Sequence, residues 1–479
     1  FTMKKHVLTL SFLFTIQLVF SQAYVMPTDP MVLQKLDWWQ DQKFGLMMHW
    51  GTYSQWGVVE SWSICSEDQP WCSRNGADYT QYKKDYEALA NTFNPQQFNP
   101  QPWVDAAKYA GMKYLVFTTK HHDGFCMFDT KQTDYRITGP QVPFHNDPRA
   151  NVTKVLFNAF RDQGFGIGAY FSKPDWHSPD FWAPEWATPD RCTNYDTNKH
   201  PDRWQKFKDY TYNQIEELMS DYGKVDILWL DGGWVRPDST ITEEVRSWGY
   251  RIPDYPQDID MPRIASMARS HQPGLLVVDR SVHGPYEDYR TPEQQVPERA
   301  LSYPWETCMT MGNSWSYSKR PHYKSTHQLI HLLVDIVAKG GNFLLNIGPS
   351  PDGTWDQEAF DRLKGIGDWM QINQAAIYAT RAIAPYKEGK ICYTRKKNSN
   401  TVYAIYLADE EESSPPEYWS LQQLKPKNGT KVTVLETGDE LDWIANGDKG
   451  MIVQIPEKVR KKMISQHAWV IQFEAKTTD

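Results

Sequence analysis

Several features are scarce in this sequence, and each scarcity closes a class of explanation. Six cysteines in 479 residues are too few for a disulfide framework, and none forms a C-x-x-C pair, which excludes a zinc ribbon. Cys65 and Cys72 stand in one polar loop, where a disulfide and two free thiols both fit the spacing. The 31 prolines and 28 glycines are too few for a low-complexity chain. The formal charge is −8 and no long basic run occurs, so nucleic acid is not an expected partner. No G-x-G-x-x-G or G-x-x-x-x-G-K follows an apolar run, which removes the dinucleotide and P-loop readings. Beyond residue 20 no stretch approaches 18 apolar residues, so no membrane span is expected.

What is abundant is aromatic: 21 Trp, 26 Tyr and 20 Phe, or 14% of the chain. Such side chains build a large core, or they offer flat faces with polar edges to a ligand such as a sugar. Near the start, Lys4-Lys5-His6 precedes an apolar run over 7–20 and the small-residue segment Ser21-Gln22-Ala23. Residues 3–23 are therefore expected to be a signal peptide, with the rest exported to the periplasm or the exterior.

Short apolar runs at 44–50, 114–119, 166–172, 225–231, 275–279 and 342–347 read as buried strands. Amphipathic segments at 101–110, 152–163, 202–220, 262–269 and 326–338 alternate with them. Strands buried on both faces and separated by helices make a parallel sheet, and this number of units predicts an α/β fold of the (β/α)8 barrel type over 24–386. Polar side chains follow the strand ends: His49, then His121 and His122, then Asp231, then Arg280. Barrel enzymes carry their chemistry at that face. From 387 to 479 the pattern turns to short alternating stretches at 401–407, 431–435, 451–455 and 468–473, expected to be a small all-β sandwich.

Adjacent histidines on a strand point to opposite sides. His121 and His122 are therefore expected to bind hydroxyls rather than share a metal, and neither a metal nor an organic cofactor is expected. Asp231 ends the most apolar strand and precedes Gly232-Gly233, which would let a substrate approach the backbone. A carboxylate so placed is suited to attack an anomeric carbon.

Phe44-Gly-Leu-Met-Met-His-Trp-Gly51, Thr119-Lys-His-His-Asp-Gly-Phe125 and Val225-Asp-Ile-Leu-Trp-Leu-Asp-Gly232 occur in that order. So do Arg290-Thr-Pro-Glu-Gln294, Trp305-Glu-Thr-Cys308 and Gly340-Gly-Asn-Phe-Leu-Leu-Asn-Ile-Gly-Pro349. Together, over roughly residues 35–385, the set resembles the α-L-fucosidases of glycoside hydrolase family 29. The resemblance implies an exo-acting, retaining hydrolase of terminal α-L-fucosyl residues, with Asp231 as nucleophile and a second carboxylate as acid/base. Among Glu287, Glu293, Glu298 and Glu306, it implies Glu293 first and Glu306 second. The residues it carries over as sugar-binding are His49, Glu60, Trp62, His121, His122, Trp234 and Arg280. Glu60-Ser61-Trp62 departs from the family's direct Glu-Trp pairing. The implied partner is a fucosylated oligosaccharide or glycoconjugate, while oligomeric state is left open. Three rivals are a glycosidase of the same machinery acting on a related L- or 6-deoxy sugar, an inactive fucose-binding protein and a metal-dependent hydrolase.

Overall fold

The computed structural model describes residues 23–72, 74 and 78–475. The expected signal peptide lies outside the described residues except for Ala23. Seven strands form one parallel sheet: β1 (Phe44–Met48), β2 (Tyr114–Lys120), β3 (Gly166–Ser172), β4 (Ile227–Asp231), β5 (Leu276–Asp279), β6 (Glu306–Thr310) and β7 (Asn342–Asn346). Their order is β5-β4-β3-β2-β1-β7-β6. The sheet curls until its edges β5 and β6 face each other, and those edges do not pair.

An irregular segment fills the gap as an eighth stave. On one side, the Asp288 N–H donates to Val277 O at 2.9 Å, and the Asp279 N–H to Tyr286 O at 2.7 Å. On the other, the N–H of Glu306 donates to Arg290 O at 2.8 Å, and that of Gln294 to Cys308 O at 3.0 Å. The stave cannot become a regular strand because Pro292 has no N–H and Gln294 adopts φ +54°. The expected eight-strand barrel is thus seven strands closed by a loop.

Every strand is buried, apart from a partly exposed Asp231 at the end of β4. Outward residues such as Leu46, Phe117 and Leu230 pack under the surrounding helices. Inward positions recur with period two, so Met47, Val116, Tyr170, Trp229, Val278, Cys308 and Leu344 fill the interior. Helix Pro30–Gln42 plugs the end where the strands begin, with Trp39 stacked on Tyr289 at 3.9 Å between centroids. Large interior aromatics require small neighbours: a Cβ on Gly45 would lie 2.4 Å from the Tyr114 ring.

The C-terminal part holds a six-stranded antiparallel sheet, starting at Thr380–Glu388, and a three-stranded sheet of Tyr418–Leu421, Gly450–Gln454 and Trp443–Asn446. Trp419, Val453, Trp469 and Ile471 share a separate core there. It is fastened to the first part by hydrogen bonds from Trp369 Nε1 to Ala468 O (3.0 Å) and from His331 Nε2 to His467 O (2.9 Å). Arg381 and Lys397 both pair with Asp37 and Asp41. All six cysteines are free thiols, so Cys65 and Cys72 are not joined. Among the described residues no helix is long and apolar enough to cross a membrane.

Glu306 opens β6 at an inward position, fully buried. It accepts hydrogen bonds from the Tyr114 hydroxyl (2.5 Å) and Trp229 Nε1 (3.3 Å), and burial pushes its carboxyl up to about 7. Its replacement by Ala strands both donors and opens a cavity, a loss of about 2–4 kcal/mol. Glu306→Ala should therefore lower Tm by several degrees in a calorimetric scan, and Glu306→Gln, which keeps an acceptor, by far less. Equal Tm values for the two variants would refute this structural role.

Candidate active site

The inward alternation that fills the barrel also aims its last residues into the mouth. Asp231 continues Ile227 and Trp229 on the inward face of β4, and His49 continues Met47 beyond β1. They meet in a cavity of about 260 Å³ that is also lined by Glu60, Trp62, His121, His122, Trp234, Arg280 and Glu293. Nine of the twelve residues singled out from the sequence thus converge here. Glu287 and Glu298 are not in the lining, and Glu306 lies at the opposite end of the barrel and lines no part of this cavity.

Asp231 is surrounded by donors. Its Oδ2 accepts from the Tyr170 hydroxyl at 2.7 Å, and its Oδ1 from Arg280 Nη1 at 3.0 Å and from the Gly232 N–H at 2.8 Å. Burial raises its pKa, but Arg280, His122 and these hydrogen bonds outweigh that and hold the carboxyl far below the usual range. The other arm of Arg280, Nη2, pairs with Glu293. One guanidinium therefore bridges both carboxylates. Glu293 sits on the irregular stave with its side chain 40% exposed, at the mouth.

Gly232 has a different reason from the one expected. Its φ is +90°, and a Cβ there would lie 2.2 Å from Pro174 Cδ. Close packing of the loop after β3 demands glycine, whether or not a substrate approaches.

The histidines also depart from expectation. The β2–β3 register slips between Thr118 and Lys120, and the strand ends at Lys120. Strand alternation therefore stops before His121, and the two rings lie side by side with centroids 4.1 Å apart. Donor atoms of His121, His122 and Asp231 fall within 4.8 Å of one another, close enough for an ion. A cation there would meet Arg280, already fixed on the same carboxylate.

Hydrogen-bond partners set the ring tautomers. Ser172 Oγ donates to Pro174 O, so it accepts from His122 Nδ1 at 2.5 Å. Asn346 Nδ2 donates to Trp315 O, so Asn346 Oδ1 accepts from His49 Nδ1 at 2.8 Å. Both rings thereby carry a lone pair on Nε2, and His122 Nε2 lies 4.0 Å from Asp231 Oδ2. Burial holds His49 and His122 down to about 4 and His121 well below the usual histidine range, so all three are neutral near pH 7. Glu60 is the reverse case: burial raises its carboxyl to about 8, although Ser316 N–H donates to Oε1 at 2.8 Å.

One side of the cavity is an aromatic wall. Trp62 packs against Trp176, Trp234 and His122 with centroids 5.3–5.7 Å apart. Arg191 organises it: its carbonyl accepts from Trp176 Nε1 and Trp234 Nε1, both at 3.0 Å. Its guanidinium stacks on Tyr250 at 3.8 Å and pairs with Glu67 at 2.9 Å. Sequence reasoning missed Arg191 and Tyr170. Tyr170 was legible as an inward strand position one step below Ser172; Arg191 sits in an irregular loop with no pattern to reveal it.

The family model for alpha-L-fucosidase matches residues 12–375, and that for the alpha-L-fucosidase C-terminal domain matches 386–474. An alpha-L-fucosidase of Branchiostoma floridae is 28% identical over 465 residues, spanning 91% of this chain and 92% of its own. Alpha-L-fucosidase isoenzyme 1 from Paenibacillus thiaminolyticus superposes with a TM-score of 0.72 at 28% identity, covering 93% of this chain and all of that one. A Thermotoga maritima alpha-fucosidase solved in complex with fucose gives a TM-score of 0.69 at 28% identity, covering 91% and 96%.

The opposed shifts around the cavity give stability a two-sided pH dependence. Glu60 binds its proton more tightly in the folded than in the unfolded chain, so its contribution is full below pH 4.5 and is lost as pH rises through about 8. The slope from one such group is at most about 1.4 kcal/mol per pH unit. His49 and His122 act oppositely, losing stability as pH falls from 6.5 to about 4. Thermal scans from pH 4 to 9 should show a flatter alkaline side for Glu60→Gln than for the parent, and a steeper rise between pH 4.5 and 6.5, where Glu60 no longer opposes the histidines. Parallel curves on the alkaline side would contradict a protonated Glu60.

Proposed function

Because the chain belongs to the alpha-L-fucosidase family, we propose that it removes terminal α-L-fucosyl residues with retention of configuration, by two successive displacements. Asp231 acts as nucleophile and Glu293 as acid/base. The observation that carries this reading is the single guanidinium of Arg280 spanning both carboxylates. Two groups on the arms of one guanidinium are closer to the ~5 Å separation of retaining glycosidases than to the ~6.5–9.5 Å that admits a water in inverting ones.

Each step follows from the environment of the group concerned. Asp231 stays ionised, and its donors keep it oriented for attack on the anomeric carbon. Glu293, exposed at the mouth, takes a proton from solvent as substrate displaces its oxygen from Arg280, and passes that proton to the departing oxygen. After the leaving group diffuses away, the same carboxylate takes a proton from the water that releases fucose. The neutral Nε2 atoms of His49 and His122 accept hydrogen bonds from sugar hydroxyls, and the protonated carboxyl of Glu60 donates one. The Trp62–Trp234 wall gives an apolar face suited to the C6 methyl of fucose.

Asp231→Ala is expected to fold normally and lose at least about 10³-fold in kcat on an aryl α-L-fucoside. For Glu293→Ala, turnover should collapse with poor leaving groups. Azide should restore it on an activated substrate, yielding fucosyl azide of retained configuration. Near-normal rates of Glu293→Ala on a poor leaving group, with collapse in Glu60→Gln, would transfer the acid role to Glu60.

A further inference from the structure

The lining of the cavity is graded from its floor to its mouth. His49, His121, His122 and Glu60 are all at most 5% exposed. At the opposite extreme stands Trp71, which lines the same cavity and is 53% exposed. Trp71 meets Trp62 edge to face, with centroids 5.6 Å apart and planes at 75°. That contact leaves an indole face open beside the mouth, where Glu293 is also exposed. Folding alone does not account for it, because an indole left in water forgoes the burial that stabilises other tryptophans.

The segment carrying Trp71 is tied down. Ser66 Oγ accepts from Asp190 N–H at 2.9 Å, and Arg191 reaches Glu67 at 2.9 Å and Gln69 at 3.2 Å. The Cys72 N–H donates to Gln69 O at 3.1 Å, closing a tight turn around Trp71. The residue that orders the aromatic wall therefore also anchors the rim. Trp71 is held at a set place relative to the fucose pocket rather than left on a free loop.

We propose that Trp71 is the platform on which a pyranose leaving group stacks, so that this residue sets which fucosyl linkages the enzyme prefers. This rests on the reading of Asp231 and Glu293 given above. A glycosidase acid lies on the side where the leaving group departs, and Trp71, like Glu293, is an exposed member of the same cavity lining. The C–H face of a pyranose stacks on an indole while its hydroxyls stay hydrated. The nearby Glu67, whose side chain is partly exposed, and Arg191, which lines the cavity, supply polar partners for such hydroxyls, whereas a lipid chain would need a continuous apolar groove. Trp71 is then a specificity-determining residue, separate from the groups that hold fucose.

The test compares two leaving groups in the full-length enzyme. α-L-Fucosyl fluoride releases an ion too small to touch Trp71. The 2-, 3-, 4- and 6-linked α-L-fucosyl disaccharides release a pyranose. For the disaccharide that the parent cleaves best, Trp71→Ala should lower the ratio of its kcat/KM to that of the fluoride by about tenfold, mostly through KM. Trp71→Phe, which keeps a flat ring, should recover part of that ratio. A ratio unchanged in Trp71→Ala, whether both activities fall together or neither does, overturns the platform. Fluoride turnover by the parent reports on Asp231 and Glu293 separately, and its absence would overturn the underlying reading and this one with it.

Discussion

The site depends on Arg280. Asp231 and Glu293 are two carboxylates at one cavity, and like charges at that range raise each other's cost of ionisation. A guanidinium between them relieves that repulsion and fixes both oxygens with charge-assisted hydrogen bonds. It also explains the low pKa of Asp231 despite its burial. Arg280 is positioned by the strand before it: its N–H donates to Leu230 O at 3.1 Å, so β5 and β4 hold cation and carboxylate side by side. The irregular stave, hydrogen-bonded to β6, brings Glu293 to the other arm. Barrel closure and charge placement are thus one construction.

Much of this was legible in the sequence because strands buried on both faces are written as apolar runs. Five of the seven strands are continuous in apolar or small residues apart from a polar end, and their ends announce His49, His121, Asp231 and Arg280. β6 is different: Glu-Thr-Cys-Met-Thr is half polar, because Glu306 and Thr307 satisfy interior and stave donors and acceptors rather than solvent. The closing stave has no periodicity at all, so the eighth strand was expected where a loop stands. The paired orientation of His121 and His122 was hidden for a related reason. Alternation holds only within a strand, and β2 slips its register just before them.

The tryptophans divide by environment rather than by number. Trp39 and Trp229 fill the barrel, Trp50 and Trp103 pack beneath its helices, and Trp419 and Trp469 belong to the C-terminal core. Trp62, Trp176 and Trp234 form a wall whose indole N–H groups and stacking are organised by Arg191. Of these, Trp62, Trp234 and Trp229 line the cavity, together with Trp71 and Trp315, while Trp176 backs the wall. Abundance of aromatics is therefore mostly a property of the core. The sugar-facing minority is recognised by its neighbours: neutral histidines, a low-pKa aspartate and a protonated glutamate.

The central claim is that Asp231 forms a covalent bond to the sugar. The most direct measurement is to incubate the enzyme with 2-deoxy-2-fluoro-α-L-fucosyl fluoride, whose fluorine slows the second displacement, and to locate the label by peptide mass spectrometry. The account predicts one fluorofucosyl group on the peptide containing Asp231. Label on Glu60 or Glu293, or inverted fucose released from a normal substrate with no label, would contradict it.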